Sequence, residues 1–305
     1  MTEVRSRFLV GPDEGGRRAD AVVARHLGIS AGAARRLVEA GAVRVDGHRA
    51  PKGSRLLPGA TVEILEGAQR ERFTAVVPDP SLRLPVLFED AHLVVVDKPA
   101  GVASHPLREG ELGTAANAIV AMWPECATAS PDAREGGLAH RLDTPTSGVL
   151  MAARTRQVWT ALRETLAAAG CEKRYLCLVR GAPPDEGHIA ADIGRRGRHG
   201  RTVRVGGGRN PQAAETRWTV VRRGEGRTLL EARLHAGRAH QVRAHLAAAG
   251  FPIVGDDRYG EEASNETGAS PAVGLRLHAA AIHLVHPVTG AALVVEAPPP
   301  PWALP

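Results

Sequence analysis

From residue 85 onward the chain breaks into short β-branched runs interrupted by Pro and Gly, with no regular alternation of strand and helix. A doubly wound parallel sheet needs a crossover helix after nearly every strand, so that class is excluded. LPVLFEDAHLVVVDKPAGVASHP opens the series at 84–106. Strand spacing recurs at 175–180, 202–205, 216–221, 228–234 and 282–285, and helical spacing fits 156–169 and 240–249. The fold class is therefore α+β, a mixed and mainly antiparallel sheet with flanking helices. No tandem repeat is present.

The front of the chain differs. RRADAVVARHL at 17–27 reads as a short helix closed by Gly28. Ser30 is a good N-cap for a second helix, AGAARRLVEA, with Gly41 beyond its end. Val43 to Val45, the Asp46-Gly47 pair and TVEIL at 61–65 read as strands around a tight turn, because Asp-Gly tolerates positive φ. The net charge is +6, and residues 16–60 hold nine basic and three acidic residues, which accounts for all of it. A basic segment of this density suits a polyanionic partner; a solvated surface is the bland alternative. The expected organisation is a small basic α+β domain at 1–67, a linker at 68–84, a large domain at 85–298 and a loosely held Pro-rich tail at 299–305.

No apolar run approaches the roughly 18 residues of a membrane span, and the N-terminus lacks the pattern of a secretory signal. Cys126, Cys171 and Cys177 are an odd number at unpatterned spacings. They suit neither a disulfide framework nor a zinc cage, and they fit a reducing cytoplasm.

Three stretches carry candidate chemistry. In HRLDTPTSG at 140–148, Pro145 and Gly148 force a turn that presents Asp143. Spacing alone favours a turn or capping role for it over a nucleophile or base. In GRAHQVRAHL at 237–246, His240 and Arg243 share a helix face, and an Arg there can hold a carboxylate bidentately. A surface ion pair and a satisfied core imidazole are the alternatives. His240 and His245 are five apart with no acidic neighbour, which argues against a metal. In EKRYLCLVRG at 172–181, Tyr175 is one of two tyrosines in the chain and stands among Lys and Arg. It suits base stacking, although a strand Tyr is commonly core. GRRGRHGRTVRVGGGRNP at 194–211 reads as a flexible arginine-rich loop, either solvated or facing phosphates.

The front segment resembles the small RNA-binding domain named after a ribosomal small-subunit protein, on Arg18, Asp20, Leu27, Ser30, Val38, Gly41, Val43, Val45 and Gly47. DKPAG, HRLDxxTSG, KxYLxLVxG, GRxHQVRxHL, GDxxYG, LHA and HPVTG follow in order over about residues 85–296. Together they resemble the RluA-type pseudouridine synthases, the large-subunit-rRNA family. The resemblance implies an enzyme that isomerises uridine in RNA to pseudouridine without cofactor or metal, on an eight-stranded mixed sheet. It implies Asp143 as nucleophile, Arg243 as the cation that keeps it anionic, and Tyr175 as the aromatic on the flipped uracil. Arg141 would fill the gap left by the flipped nucleotide. His140, Lys173, His240 and Gln241 stand beside these as substrate contacts. Arg35, Arg36, Arg195, Arg196 and Arg198 are the expected RNA contacts outside the pocket. The expected partner is structured RNA, rRNA in the first place and tRNA as the alternative, with a monomeric cytoplasmic protein and no membrane. Two other classes stay open: a non-catalytic RNA-binding ribosome-assembly factor, and a carboxylate-dependent hydrolase of a nucleoside or glycoside, for which Glu172 or Asp256 would have to supply the second carboxylate.

Overall fold

The computed structural model describes residues 4–65, 75–196, 202–235, 237–260 and 274–304. The chain divides into two units, Met1–Thr74 and Ala75–Pro305. In the first, β1 (Val4–Leu9), α1 (Ala19–Leu27), α2 (Ala31–Glu39), β2 (Val43–Val45), β3 (His48–Arg49) and β4 (Thr61–Leu65) follow in order. Gly28 ends α1 in the left-handed conformation, and the Ser30 hydroxyl accepts from the Ala33 amide at 3.2 Å to cap α2. Asp46 and Gly47, at φ 50° and 80°, turn β2 into β3. The strands form a sheet in the order β1-β4-β2-β3. The helices bury Val22, Val23, Ala34 and Val38 in one core with Val43, Val62 and Ile64. Arg35 and Arg36 stay exposed on α2.

The second unit begins earlier than the sequence pattern suggests. Val76 and Leu84 are buried, and the Asp79 carboxylate accepts from Ser81 and from the Gly113 amide, so residues 75–84 belong to it. Its elements are β5 (Val86–Glu89), β6 (Leu93–Lys98), α3 (Ala115–Met122), β7 (Ser147–Ala153), α4 (Arg156–Ala167), β8 (Glu172–Arg180), β9 (Glu186–Ala190), β10 (Ile193–Arg195), β11 (Val203–Val205), β12 (Arg209–Gln212), β13 (Glu215–Gly224), β14 (Arg227–Leu234), α5 (Gln241–Ala248), β15 (Leu277–Val285) and β16 (Ala292–Glu296). The main sheet runs β5-β6-β7-β15-β8-β14-β13-β9, with β16 also paired to β15. Among the described residues it has nine strands rather than the expected eight. Only the β7–β15 pairing is parallel among the strand pairings described. Val158, Leu162 and Leu166 of α4 share a core with Leu93, Val95 and Met151. Val242 and Leu246 of α5 share another with Cys177, Val179 and Leu230.

Two expectations are corrected. The 194–211 stretch is not simply a flexible loop: β10, β11 and β12 form a small separate sheet in the order β11-β10-β12. The strand spacing at 202–205 marks β11, but IGR in β10 and RNPQ in β12 have too little apolar alternation to mark them in the sequence. The Pro-rich tail is not loose throughout, because Pro301–Ala303 make a 3-10 turn and Ala303 is buried.

At the parallel junction Ser147 lies opposite His278 and Gly148 opposite Ala279. Gly148 has φ 111°, and a Cβ there would stand 2.1 Å from the Ala279 carbonyl oxygen. No side chain fits between these backbones. The Ser147 hydroxyl and His278 Nδ1 share a 2.8 Å hydrogen bond, and burial lowers the His278 pKa to about 4. His140 accepts from the Met151 amide at 3.1 Å, and burial, helped by Lys173 and Arg163, lowers its pKa to about 3.

Gly148→Ala should destabilise the second unit by at least about 3 kcal/mol, read from urea melts, since neither backbone can yield. Stability should also depend on acid in a defined window. The unfolded chain protonates its histidines near 6.5, whereas native His140 and His278 stay neutral down to about 3 and 4. Stability from these groups is therefore complete above 6.5 and is lost as pH falls toward 4. Melts that superimpose between pH 7 and 4 would contradict this.

Candidate active site

The loop carrying Asp143 is fixed by the segment that follows β6. Lys98 is fully buried, and its ammonium donates to the carbonyls of Val102 (2.7 Å), Pro99 (2.9 Å) and Thr144 (3.3 Å). Burial lowers its pKa to about 8 against the opposing pull of the Asp143 and Asp97 charges. The Gly101 amide also donates to Thr144 O, at 2.9 Å. Ser104 Oγ donates to Leu142 O at 2.7 Å and accepts from Leu142 N at 3.0 Å. The Thr146 amide closes a turn onto Asp143 O at 3.0 Å. Backbone on both sides of Asp143 is thus held, and its half-buried carboxylate faces the pocket.

α5 supplies the cation. Arg243 is 2% exposed and donates from Nη1 to Asp143 Oδ2 at 2.9 Å. Its Nε and Nη2 donate to the two oxygens of Asp256 at 2.9 and 2.7 Å, and Nη2 also reaches Asp257 Oδ1 at 3.1 Å. Asp256 further accepts from the amides of Arg258 and Tyr259. Burial works against the charge of Arg243, but the bonds and charges of Asp256 and Asp143 outweigh it and raise its pKa. Burial likewise pushes Asp256 up, and the Arg243 bonds bring it below the usual carboxylate range. Asp143 and Arg243 are 100 positions apart in sequence, so only the fold joins them.

His240 does not lie on the helix face with Arg243 as its spacing suggests. It stands at the N-cap of α5 in the left-handed conformation, φ 55° and ψ 20°. Such a backbone costs a non-glycine residue about 1–2 kcal/mol. Its Nε2 lies 3.6 Å from Asp143 Oδ1, and its Nδ1 shares a 2.8 Å hydrogen bond with the Tyr259 hydroxyl. The satisfied core imidazole is instead His245, bonded to Thr216 Oγ1 at 2.9 Å and Ala191 O at 3.1 Å.

A cleft of about 500 Å³ opens above this floor, lined by Asp143, Tyr175, His240 and Arg243 with Arg141 and Arg163. Tyr175 enters from β8. Burial, with the charge of Asp143, raises its pKa and keeps the phenol protonated. Its hydroxyl has no hydrogen-bond partner among the described residues. Arg141 is exposed in the cleft wall. His140, Lys173 and Gln241 also line the cleft, but each is bound to the protein. His140 holds the Met151 amide, and Lys173 donates to Leu166 O and His235 O. Gln241 accepts from the Arg238 amide and donates to Glu215 O and Thr216. Arg35 and Arg36 belong to the first unit, Arg195 and Arg196 to the small sheet and its edge, and Arg198 lies outside the described residues. Among the described residues no group of three or more His, Cys, Asp or Glu could hold a metal, and no helix is long and apolar enough to cross a membrane.

Tyr259, Lys98 and Ser104 are site residues to which sequence reasoning gave no role, and Asp256, considered only as a hydrolase's second carboxylate, is instead the partner of Arg243. DKPAG and GDDRYG were visible strings, but the carbonyls and carboxylates they serve are distant in the chain. The disposition of nucleophile-type carboxylate, buried arginine and protonated tyrosine suits covalent or general-acid chemistry on a group of nucleobase size.

Comparison with known proteins agrees. The model of the RNA pseudouridylate synthase family matches residues 92–248, and that of the S4 domain matches residues 17–62. The chain is 37% identical to ribosomal large subunit pseudouridine synthase D of Xanthomonas campestris, over 96% of this chain and 89% of that one. It is 35% identical to ribosomal large subunit pseudouridine synthase C of Escherichia coli, over 94% and 90%. Among solved structures, human RNA pseudouridylate synthase domain containing 1 superposes with a TM-score of 0.57 at 25% identity, covering 73% of this chain and 86% of that one. With its motifs, sheet and aspartate–arginine pair in one place, the chain belongs to the RNA pseudouridylate synthase family and carries an S4 domain in front.

Proposed function

We propose that this protein converts specific uridines of large-subunit ribosomal RNA to pseudouridine. The observation that carries the reading is the Asp143–Arg243 pair at the floor of a nucleobase-sized cleft with Tyr175 in its wall. In the reaction the C1′–N1 bond breaks, the uracil turns, and a C1′–C5 bond forms. The hydrogen on C5 leaves and N1 gains one, so mass is unchanged. Asp143 is the nucleophilic carboxylate, aimed by Arg243, which Asp256 fixes in turn. Tyr175 lies against the uracil and, protonated, passes a proton during the exchange. Arg141 occupies the place the flipped nucleotide vacates, and flipping costs least where the uridine is unpaired.

The S4 unit, taken as residues 1–67, supports RNA affinity through exposed arginines such as Arg35 and Arg36, and residues 85–298 supply the chemistry. The working form in this reading is a cytoplasmic monomer, with which the buried free thiols of Cys126, Cys171 and Cys177 agree.

The test is incubation of the enzyme with large-subunit rRNA, followed by mapping of carbodiimide-reactive pseudouridine. RNA that is bound and left unmodified would instead indicate an assembly factor, and released uracil would indicate a hydrolase. Asp143→Asn should abolish isomerisation while RNA affinity stays within a few-fold, because shape survives and nucleophilicity does not. Appreciable turnover would remove Asp143 from its role. Tyr175→Phe keeps the ring; binding should persist and turnover fall by roughly 10²-fold or more. Equal rates for the two enzymes would leave Tyr175 a stacking residue alone.

A further inference from the structure

The small sheet is joined by two successive hydrogen bonds to His240, whose ring stands beside Asp143. The Val203 amide, at the start of β11, donates to the Tyr259 hydroxyl at 2.8 Å. That hydroxyl shares its second bond, also 2.8 Å, with His240 Nδ1. The other ring nitrogen of His240 lies 3.6 Å from Asp143 Oδ1, the carboxylate oxygen that Arg243 leaves open, and 3.3 Å from Arg258 Nη1. The Tyr259 ring also packs on Arg243, with the guanidinium carbon 5.4 Å from its centroid, and meets the His240 ring edge-on at 5.7 Å.

At the far end of this path the sheet presents cations. Arg195, Arg196, Arg204 and Arg209 are all exposed, and none has an ion-pair partner among the described residues. Elsewhere on the unit arginines are commonly paired, as Arg217 is with Glu215, Arg233 with Glu231 and Arg174 with Glu172. Unpaired guanidinium groups with glycine backbone between them suit a phosphate chain. His240, meanwhile, holds a left-handed backbone that nothing in its own side chain relieves. Its ring is kept in place by Tyr259 and Arg258, so its aim at Asp143 follows the state of Tyr259.

We infer that the β10–β12 sheet binds phosphates of the substrate RNA and that this binding is transmitted through Val203, Tyr259 and His240 to the orientation of Asp143. Tyr259 and His240 are then positioning residues, and the enzyme reaches full rate only with RNA seated on the small sheet. Ordering the sheet fixes the Val203 amide, which fixes the hydroxyl, which fixes the imidazole beside the open carboxylate oxygen. The inference rests on the isomerase reading and adds to it a coupling between an RNA-contact surface and the chemical step.

The experiment is a mutant cycle read in affinity and in single-turnover rate at saturating rRNA. Tyr259→Phe, which keeps the ring over Arg243, should lower the saturated rate by about tenfold and leave Kd within about twofold, the scale of one or two hydrogen bonds. Val203→Pro removes the amide donor at the first position of a strand, where Pro is tolerated, and should reproduce that rate loss from outside the cleft. The triple change Arg195→Gln, Arg204→Gln, Arg209→Gln should weaken binding and reduce the salt slope by roughly 0.7 per lost phosphate contact. It should also lower the saturated rate several-fold. In the Tyr259→Phe background the triple change should still weaken binding but have no further effect on rate. Rate effects that multiply, or a full rate for Tyr259→Phe, would overturn the coupling while leaving the isomerase reading intact. Wild-type enzyme that forms no pseudouridine in any rRNA would overturn both.

Discussion

Arg243 is the group on which the second unit depends. A buried guanidinium is tolerated only when its charge and its donors are matched, and leaving it unmatched costs about 3–5 kcal/mol. Asp256, itself without exposure, takes two donors, and Asp143 takes a third in the cleft. The requirement reaches far beyond the pair. It fixes the start of α5, draws the 256–259 turn over that start, and holds the 141–146 loop against both. The remaining oxygen of Asp143 is left as the one part of the network that faces the cleft and has no short bond. The cluster therefore has two ends, with Asp256 buried against the fold and Asp143 turned to the cleft.

Much of this was legible in the sequence, and unevenly so. The Asp-Gly turn, the Ser30 cap and the amphipathic α4 are local chemistry, and each appears where its residues require. Asp143, Arg243 and Tyr175 stood out only as an ordered set of motifs, since none of the three identifies its partners by spacing. α3 was missed because AANAIVAM is apolar on every side and has no stripe to show. β10 and β12 of the small arginine sheet were missed for the opposite reason, having almost nothing apolar to alternate, while β11 showed at 202–205. Lys98 was visible inside DKPAG, yet its work is to bind three carbonyls, and carbonyls leave no mark in a sequence. His240 shows the limit most clearly. Its place three residues before Arg243 suggests one helix face, but a left-handed N-cap turns it toward Tyr259 instead.

The basic charge also divides into two kinds once the fold is known. On β8, β13 and β14 Arg174, Arg217 and Arg233 are each paired with an acid two positions earlier in the same strand. Register places Arg174, Arg233 and Arg217 directly across from one another, so without those acids like charges would repel along the row. That arginine is part of the sheet's own electrostatic balance. The arginines of the small sheet have no such acids and are open to an outside anion.

The position of β15 has a consequence for the order in which the protein comes into being. Among the described residues β5, β6 and β7 on one side and β8, β14, β13 and β9 on the other are joined only through this strand, which follows all of them in sequence. Until the ribosome has released residues 277–285, the two halves of the sheet have no common edge, and Tyr175 and Asp143 sit on opposite sides of the gap. The S4 unit, by contrast, is complete in the first quarter of the chain. A nascent molecule thus possesses its S4 domain long before β15 brings the Asp143 loop and the Tyr175 strand into one sheet.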